Sequence, residues 1–290
     1  MNYIIYDLEW NQPPDKTATI MDPVCLEGEI IEIGAVKLDE RFRAVDELRL
    51  FVMPQYYRKM HKRIASLTGI HDQDLEEKGI PFTEAYSQFA RWCGKEYALM
   101  SWSMSDLPIL IDNMIIHGID ISDLPEFYDI QRIFSREIMH GETRYSLETA
   151  LTILKEKGDC AHDALHDARN AAKVCSQLDL DLYLEEYTSK VFAEIPDGTI
   201  YETRRKLLEA PAAREFVCPW CGKSVTCEPW VRSDGGVYFG YGLCPEEDEF
   251  LVQMSMGRAR EGGWYAERFL FEMSDDLWDI YMDKKEGLGV

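Results

Sequence analysis

The sequence has no apolar run that approaches the roughly 20 residues needed to span a bilayer as a helix. Its first apolar stretch, residues 3–6, ends at the carboxylate of Asp7 and is too short for the apolar core of a secretory signal. No internal repeat or low-complexity tract is present. These absences argue against membrane, secreted and repeat proteins, and we expect a cytoplasmic protein without a membrane partner.

Positive charge is scarce, because 31 Lys and Arg against 53 Asp and Glu give a formal net charge of −22. Phosphate affinity comes mostly from Lys and Arg, so this balance argues against a protein that coats nucleic-acid duplexes without sequence preference. It still allows a narrow groove in which bound cations lie between acidic side chains and phosphate. The densest basic run is residues 56–63, in which Arg58 and Lys62 are candidate substrate contacts. A solvated helix face is the alternative interpretation of that run.

The eight cysteines fall into two sets. We expect reduced, buried thiols for the four that are scattered among apolar neighbours: Cys25, Cys93, Cys160 and Cys175. The four others lie within 27 positions, which indicates metal ligation rather than a disulfide framework: Cys218, Cys221, Cys227 and Cys244.

The segment Cys218-Pro-Trp-Cys221-Gly222 is typical of a zinc knuckle, and Cys244-Pro245 begins a second one, as in a zinc ribbon. We expect one structural Zn²⁺ on Cys218, Cys221 and Cys244. The fourth ligand is either Cys227 or Glu247, which stands where a second Cys or His is usual. The alternative is a ribbon that keeps its shape without a metal.

Hydrophobic periodicity divides the 290-residue chain into two parts. Period-two alternation or a short apolar run predicts strands at 3–9, 29–38, 45–53 and 97–102. A period near 3.6 predicts helices near 58–67, 82–95, 105–117, 146–156 and 163–178. This order predicts an α/β domain with a mixed sheet flanked by helices at 1–190. After a connector at 191–215, aromatic-rich short strands and a last helix at 274–283 predict a small β-rich, zinc-ribbon-like domain at 216–290.

Asp7 and Glu9 are two residues apart on the predicted first strand, so their carboxylates lie on one face and can share a cation. The residues before Asp7 are nearly all apolar, as in a strand buried on both faces. Carboxylates at the end of such a strand need a compensating partner, and Mg²⁺ or Mn²⁺ is the usual one. The alternative is an acidic strand edge that faces solvent.

Three further residues complete a candidate acidic site. His162 and Asp167 are five apart, about 140° around a continuous helix, so they converge only if His162 lies on the loop before the helix. Asp106 follows an apolar strand and opens a helical segment, where a negative charge is favourable. Taken singly, each has a bland alternative as a surface or first-turn residue.

In chain order, Asp7-x-Glu9, Asp106 and His162-x4-Asp167 resemble the DEDDh 3′→5′ exonuclease superfamily, which includes ribonuclease T and the proofreading subunit of DNA polymerase III. Flanking segments also match the superfamily, and some look most like its Eri1-like branch: Leu67-Thr-Gly-Ile70, residues 145–151, Ser101-Trp102 and residues 164–172. The resemblance covers roughly residues 1–185. One departure is Trp10, which stands where many members carry Thr and is therefore a candidate contact to the terminal nucleotide.

The resemblance implies a ribonuclease H-like fold and two Mg²⁺ or Mn²⁺ ions held by Asp7, Glu9, Asp106 and Asp167, with Asp7 bridging them. It implies that His162 is the general base that takes a proton from the attacking water. The expected substrates are 3′ ends of single-stranded RNA or DNA, with RNA favoured, and the expected products are nucleoside 5′-monophosphates.

Two other functions fit parts of the pattern. His162 and His166 have the i, i+4 spacing of a zinc metalloprotease pair, but Asp163 stands where that motif has Glu, and Asp7 and Glu9 would be unexplained. The other alternative is a catalytically silent module of the same fold that binds nucleic acid or protein. Because all five catalytic positions are filled, we favour the enzyme.

Overall fold

The structure, a computed structural model, describes residues 1–14, 20–21, 25–121, 124–141, 143–184, 191–193, 198–233, 236–259 and 262–286. Contacts within the chain divide it into two compact units. The first unit comprises residues 1–15, 26–120 and 125–187, and the second comprises residues 16–25, 121–124 and 188–290.

The first unit is built on a five-stranded sheet of order β5-β4-β1-β6-β7. Its strands are β1 (Asn2–Asn11), β4 (Glu29–Leu38), β5 (Ala44–Phe51), β6 (Tyr97–Ser101) and β7 (Phe127–Asp129). A separate short pair, β2 (Ile20–Met21) with β3 (Cys25–Leu26), is not part of this sheet, and all of its residues except Leu26 belong to the second unit. β1 is antiparallel to β4 but parallel to β6. This mixed sheet, flanked by helices, confirms the predicted α/β class.

Eight helices accompany this sheet among the described residues: α1 (Lys62–Thr68), α2 (Asp72–Lys78), α3 (Phe82–Cys93), α4 (Asp106–Ile116), α5 (Ile130–Glu137), α6 (Leu147–Leu154), α7 (Ala164–Cys175) and α8 (Leu180–Tyr183). Apolar side chains of α5, α6 and α7 pack with those of β1, β4 and β6 into the main core. None of the described helices is both long and apolar enough to cross a membrane.

The structure of the first unit differs from the predicted helices at α1, α2, α5 and the four-residue α8, which was not predicted. α1 begins at Lys62 rather than at residue 58, because the backbone N–H groups of Met60 and His61 are held by the side chains of Asp72 and Asn11. The sequence did not predict α2, since Leu75 is its only buried residue and no apolar period exists. It also missed α5, although Ile130, Ile133 and Phe134 have the i, i+3, i+4 spacing of a helix and lie on its buried face.

The expectation of buried thiols is correct for Cys93 and Cys175 and wrong for Cys160, which is exposed. Cys160 lies in the loop that precedes α7, where residues 157–162 are all exposed. The side-chain environment of Cys25 lies outside the described residues.

The second unit contains a five-stranded antiparallel sheet of order β11-β12-β13-β14-β8 and a two-stranded hairpin of β9 and β10. Its elements are β8 (Val191–Ala193), α9 (Arg204–Glu209), β9 (Glu215–Val217), β10 (Ser224–Thr226), β11 (Val231–Arg232), β12 (Tyr238–Leu243), β13 (Glu249–Arg258), β14 (Trp264–Glu272) and α10 (Asp275–Glu286). The predicted β-rich C-terminal part is therefore present.

Residues that the sequence assigned to a connector, 191–215, belong to the second unit. β8 pairs with β14, with Phe192 opposite Leu270, and Leu207 of α9 is fully buried in a cluster with Met254. β8 has three residues and α9 has six, so neither is long enough to show a hydrophobic period.

Candidate active site

β1 carries the first two candidate ligands. Asp7 and Glu9 lie two residues apart and are the cross-strand partners of Gly34 and Glu32 in β4. Both side chains therefore project from the same face of the sheet. The register shifts between Glu9 and Trp10, so a bulge interrupts the pairing directly after the second carboxylate, and the pairing resumes with Trp10 opposite Ile30. Such bulges re-aim the side chains that follow them.

The N-terminal end of α7 lies directly against β4 at Gly34. A Cβ added to Gly34 would lie 2.1 Å from the carbonyl carbon of Ala164 and 2.1 Å from the amide nitrogen of Leu165. Only a residue without a side chain permits this approach. Because Gly34 is the cross-strand partner of Asp7, the approach brings the first turn of α7 to the face that carries the β1 carboxylates.

His162 lies on the loop before α7, and Asp167 lies in the first turn of the helix, as the sequence predicted. The φ angle of His162 is 63°, a left-handed conformation that is uncommon for a residue with a side chain. Its backbone N–H donates to Oδ2 of Asp167 over 2.8 Å. Glu9, His162 and Asp167 each offer one ligand atom within 4.8 Å of the others. The conformation of this loop thus brings His162 and Asp167 close to Glu9 of β1.

Asp106 is the first residue of α4 and is buried. Its Oδ1 accepts a hydrogen bond of 3.1 Å from the backbone N–H of Leu8. β6 pairs only with residues 2–5 of β1, so the backbone of Leu8 lies beyond the paired segment and is accessible to the Asp106 side chain. This bond holds the carboxylate of Asp106 beside Asp7 and Glu9 of β1.

The carboxylates repel one another in a site where Asp106 is buried and Asp7, Glu9 and Asp167 are partly buried. Burial raises the pKa of Asp7 well above its ordinary value, and Asp106, Asp167, Glu9 and Glu32 raise it further. Burial, followed by the charges of Glu32 and Asp167, raises the pKa of Glu9 to about 8. Burial raises the pKa of Asp106 to about 7 and also raises that of Asp167. Such a site is short of positive charge, and hard divalent cations with oxygen ligands fit it.

Sequence reasoning missed Glu32, whose side chain has 0% exposure and lies opposite Glu9. Its Oε1 lies 2.5 Å from Nε of Arg49, and its Oε2 accepts a 3.3 Å hydrogen bond from the N–H of Ala164. A charged residue inside the apolar run Ile30-Ile31-Glu32-Ile33 was the available signal, since a buried charge requires a partner.

Arg49 of β5 also contacts the residue that caps α7. Its Nη2 donates to Oδ2 of Asp163 over 2.6 Å. The other oxygen of Asp163 accepts a 3.0 Å hydrogen bond from the N–H of His166 and caps the helix. Arg49 therefore ties the start of α7 to Glu32 in the sheet.

The predicted substrate contacts lie near the end of β1. Trp10 is partly buried and its ring covers Gly28, where an added Cβ would lie 2.2 Å from Cδ1 of the indole. Arg58 is exposed, and its Nε donates to the carbonyl of Gln55 over 3.1 Å. Lys62 is exposed at the first position of α1.

The basic run at residues 56–63, called the basic segment below, is held against the sheet by hydrogen bonds to two buried polar side chains. Nδ2 of Asn11 donates to the carbonyls of Tyr57 (2.7 Å) and Lys59 (2.9 Å). The carboxylate of Glu29 accepts N–H groups from residues 55–57, including a 2.7 Å bond from Tyr57. Because Asn11 follows Glu9 by two residues, these bonds place the basic segment next to the β1 end of the acidic site.

The second unit contains a separate group of possible metal ligands: Cys218, Cys221, Cys244 and Asp248. Each offers one ligand atom within 4.8 Å of the others. The two residues predicted for the fourth position are not part of this group. Cys227 packs under Gly240, where an added Cβ would lie 2.7 Å from the cysteine sulfur, and Glu247 is exposed. Asp248 therefore replaces both as the fourth candidate.

The family model for exonucleases of the RNase_T type matches residues 15–175, more than half of the 290-residue chain. No curated protein matches the sequence.

Three solved structures illustrate the likeness of fold. Cell-death related nuclease 4 (CRN-4) is 22% identical with a TM-score of 0.51, covering 61% of this chain and 62% of that one. The nuclease domain of 3′hExo, a DEDDh family member bound to rAMP, is 20% identical with a TM-score of 0.52, covering 62% and 92%. Exonuclease I of E. coli in complex with a dA16 oligonucleotide is 14% identical with a TM-score of 0.50, covering 83% and 54%. The chain thus spans less than two thirds of the CRN-4 chain.

Proposed function

Because the chain belongs to the RNase_T exonuclease family, we propose that it is a metal-dependent 3′→5′ exonuclease that hydrolyses single-stranded nucleic acid. The observation that carries the proposal is the convergence of Glu9, His162 and Asp167 within 4.8 Å. These three residues come from a strand, a loop and a helix, and Glu9 and Asp167 are more than 150 positions apart in the sequence. The side chain of Asp106 lies at the same end of β1, because it accepts a hydrogen bond from the backbone N–H of Leu8.

We assign two Mg²⁺ or Mn²⁺ ions to Asp7, Glu9, Asp106 and Asp167. The support is electrostatic: the four carboxylates lie buried or partly buried in one site, and burial, followed by the charges of Asp106, Asp167 and Glu9, raises the pKa of Asp7. When bound, the ions would supply the positive charge that offsets both the carboxylates and the phosphate. We assign no step of hydrolysis to the second unit, for which the sequence predicts a structural Zn²⁺.

We assign the role of general base to His162. Its side chain is exposed, so it is open to water and substrate, and its backbone is held by Asp167. Imidazole is the side chain best suited to exchange a proton near neutral pH. The water oxygen would bond to phosphorus, the bond from phosphorus to the 3′ oxygen would break, and His162 would hold the water proton. The 3′ oxygen left on the shortened strand would take a proton from solvent water and become a hydroxyl. The product would be a nucleoside 5′-monophosphate released from the 3′ end.

For the substrate, we favour single-stranded RNA over DNA. One structural neighbour is a nuclease domain bound to rAMP, and another is a 3′-exonuclease with 3′-end specific recognition of a histone mRNA stem-loop. Trp10 would stack on the terminal base, while Arg58 and Lys62 would contact phosphates. The cytoplasmic location stays a prediction from the sequence.

The test uses 5′-labelled single-stranded RNA and DNA of one sequence, incubated with the full chain and Mn²⁺ or with EDTA. We expect a ladder that shortens from the 3′ end in Mn²⁺, faster for RNA, and that is abolished by EDTA. Asp7→Asn should abolish the ladder, whereas Glu76→Gln, at an exposed carboxylate of α2, should leave it unchanged. Binding of the oligonucleotide without shortening would identify the silent binding module instead.

A further inference from the structure

We propose that the second unit binds one Zn²⁺ through three thiolates and one carboxylate, with Asp248 as the fourth ligand. Cys218 and Cys221 lie in the turn between β9 and β10, and Cys244 and Asp248 lie in the turn between β12 and β13. The ion would therefore join the two-stranded hairpin to the five-stranded sheet of this unit. This goes beyond the proposed exonuclease function and does not depend on it.

The first turn has the backbone of a metal knuckle. The N–H of Cys218 donates to the carbonyl of Lys223 over 2.9 Å, and the N–H of Gly222 donates to the carbonyl of Cys218 over 2.9 Å. Gly222 has a φ of 72°, which reverses the chain. Cys221, three residues after Cys218, can then return its sulfur toward the sulfur of Cys218.

The second turn repeats this backbone with one residue fewer. The N–H of Glu247 donates to the carbonyl of Cys244 over 2.9 Å, and the N–H of Cys244 donates to the carbonyl of Asp248 over 2.8 Å. Glu247 has a φ of 71° and so occupies the place that Gly222 has in the first turn. The residue before the left-handed position is Cys221 in the first turn and Glu246 in the second, so the second turn has no second cysteine. Asp248 follows the left-handed residue and brings its side chain to the sulfurs instead.

The distances between ligand atoms suit one small ion. The sulfurs of Cys221 and Cys244 are 3.2 Å apart, and the sulfur of Cys218 is 3.4 Å from Oδ2 of Asp248. In a zinc site with bonds of about 2.0–2.3 Å, the edges of the tetrahedron are about 3.3–3.8 Å. Cys218 and Cys244 are each 1% exposed, so two of the thiolates would be shielded from solvent.

The chemistry of the ligand atoms selects Zn²⁺ over the cations assigned to the acidic site. Thiolates are soft ligands that bind zinc well, whereas Mg²⁺ and Mn²⁺ take oxygen ligands. The N–H of Glu246 points to the sulfur of Cys244 over 3.4 Å, a contact that stabilises a thiolate. Four protein ligands close the tetrahedron, which is the pattern of a structural rather than a catalytic zinc.

The test measures zinc bound to the full-length protein by mass spectrometry, and zinc affinity by competition with a chelator. We expect one Zn²⁺ per chain. Asp248→Ala should raise the zinc dissociation constant by at least about tenfold, which corresponds to about 1.4 kcal/mol. Cys227→Ser should leave the constant unchanged, and so should Glu247→Gly, because glycine accepts the positive φ at that position.

Two further variants protect the test against misfolding. Asp248→Cys should keep one Zn²⁺ and, after substitution by Co²⁺, increase the sulfur-to-cobalt absorption by about a third, since the ligands become four thiolates. Cys221→Ser should lower that absorption. A wild-type protein without zinc after growth in zinc would overturn the proposal. So would unchanged affinity in Asp248→Ala together with loss of zinc in Cys227→Ser. Neither result would affect the exonuclease assay.

Discussion

Glu32 of β4 lies directly opposite Glu9 of β1 in the antiparallel pair, so a fully buried carboxylate faces a candidate metal ligand. The charge of Glu32 is the largest electrostatic contribution, after burial, to the raised pKa of Glu9. Glu32 itself is compensated by Arg49, 2.5 Å away, which also bonds Asp163 at the start of α7. Arg49 therefore has a positioning role: it allows Glu32 to be buried and keeps the helix that carries Asp167 against the sheet.

The first test of this relationship is the substitution Arg49→Met. It leaves Glu32 buried without its cation, and we expect a loss of about 2 kcal/mol in the free energy of unfolding, below the value for a fully buried pair because Arg49 is 35% exposed. We also expect kcat to fall more than KM rises, since the helix start shifts while the basic segment stays in place.

The matched control is Arg43→Met, which removes an exposed ion pair with Asp39 and should leave the free energy of unfolding almost unchanged, because solvent screens such a pair. Urea unfolding and steady-state kinetics measure both variants. Adding Glu32→Gln to Arg49→Met should recover part of the stability. If the double variant is no more stable than Arg49→Met, Arg49 does not act through Glu32.

The acidic site also predicts how metal-free stability depends on pH. The folded-state pKa values of Glu9, about 8, and Asp106, about 7, lie above the values of an unfolded chain, near 4. The folded state thus binds more protons in this range, and its stabilisation by protonated carboxyls is lost as pH rises from about 4 through about 8. In EDTA, Asp106→Asn should therefore raise the melting temperature at pH 8 more than at pH 5.

Thermal melts with Mn²⁺ complete this experiment. Mn²⁺ should raise the melting temperature of the wild type at pH 8, and Asp106→Asn should reduce that increase because one ligand is lost. Glu76→Gln controls for the change in net charge, since this carboxylate is exposed. A pH response in Asp106→Asn equal to that of Glu76→Gln would show that the acidic cluster does not govern stability.

Several features of the site could be predicted from the helix and strand periodicity of the sequence. Others depend on strand register or turn conformation, which the spacing of residues in the sequence does not reveal. The loop position of His162 follows from helix geometry, and the shared face of Asp7 and Glu9 follows from strand alternation. Glu32 faces Glu9 only through the register between two strands that are separated in the chain. Asp248 reaches the cysteines because its turn is one residue shorter than the usual spacing, a property of the backbone around Glu247.

The role of His162 can be separated from that of its neighbour by paired substitutions. His162→Ala should lower the exonuclease rate by about 10²-fold or more, the usual contribution of a general base. Its melting temperature and its stabilisation by Mn²⁺ should remain those of the wild type, because the bond to Asp167 uses the backbone N–H. His166→Ala should keep most of the activity. Equal losses in both variants would instead favour a pair of zinc-binding histidines.

The close contact between Gly34 and the start of α7 can be used to test what brings His162 and Asp167 close to Glu9. Gly34→Ala would place a Cβ 2.1 Å from the backbone of Ala164, so the start of α7 has to move away from β4. We expect a loss of about 1–3 kcal/mol in stability. Because a displacement of about 1 Å at a catalytic group can cost about 10²-fold in rate, activity per folded molecule should fall at least tenfold.

Gly141→Ala is the matched control, since its nearest neighbour would be the carbonyl oxygen of Met139 at 3.9 Å. Circular dichroism gives the folded fraction at the assay temperature. Wild-type activity in folded Gly34→Ala would mean that Asp167 and His162 do not need this contact to reach Glu9.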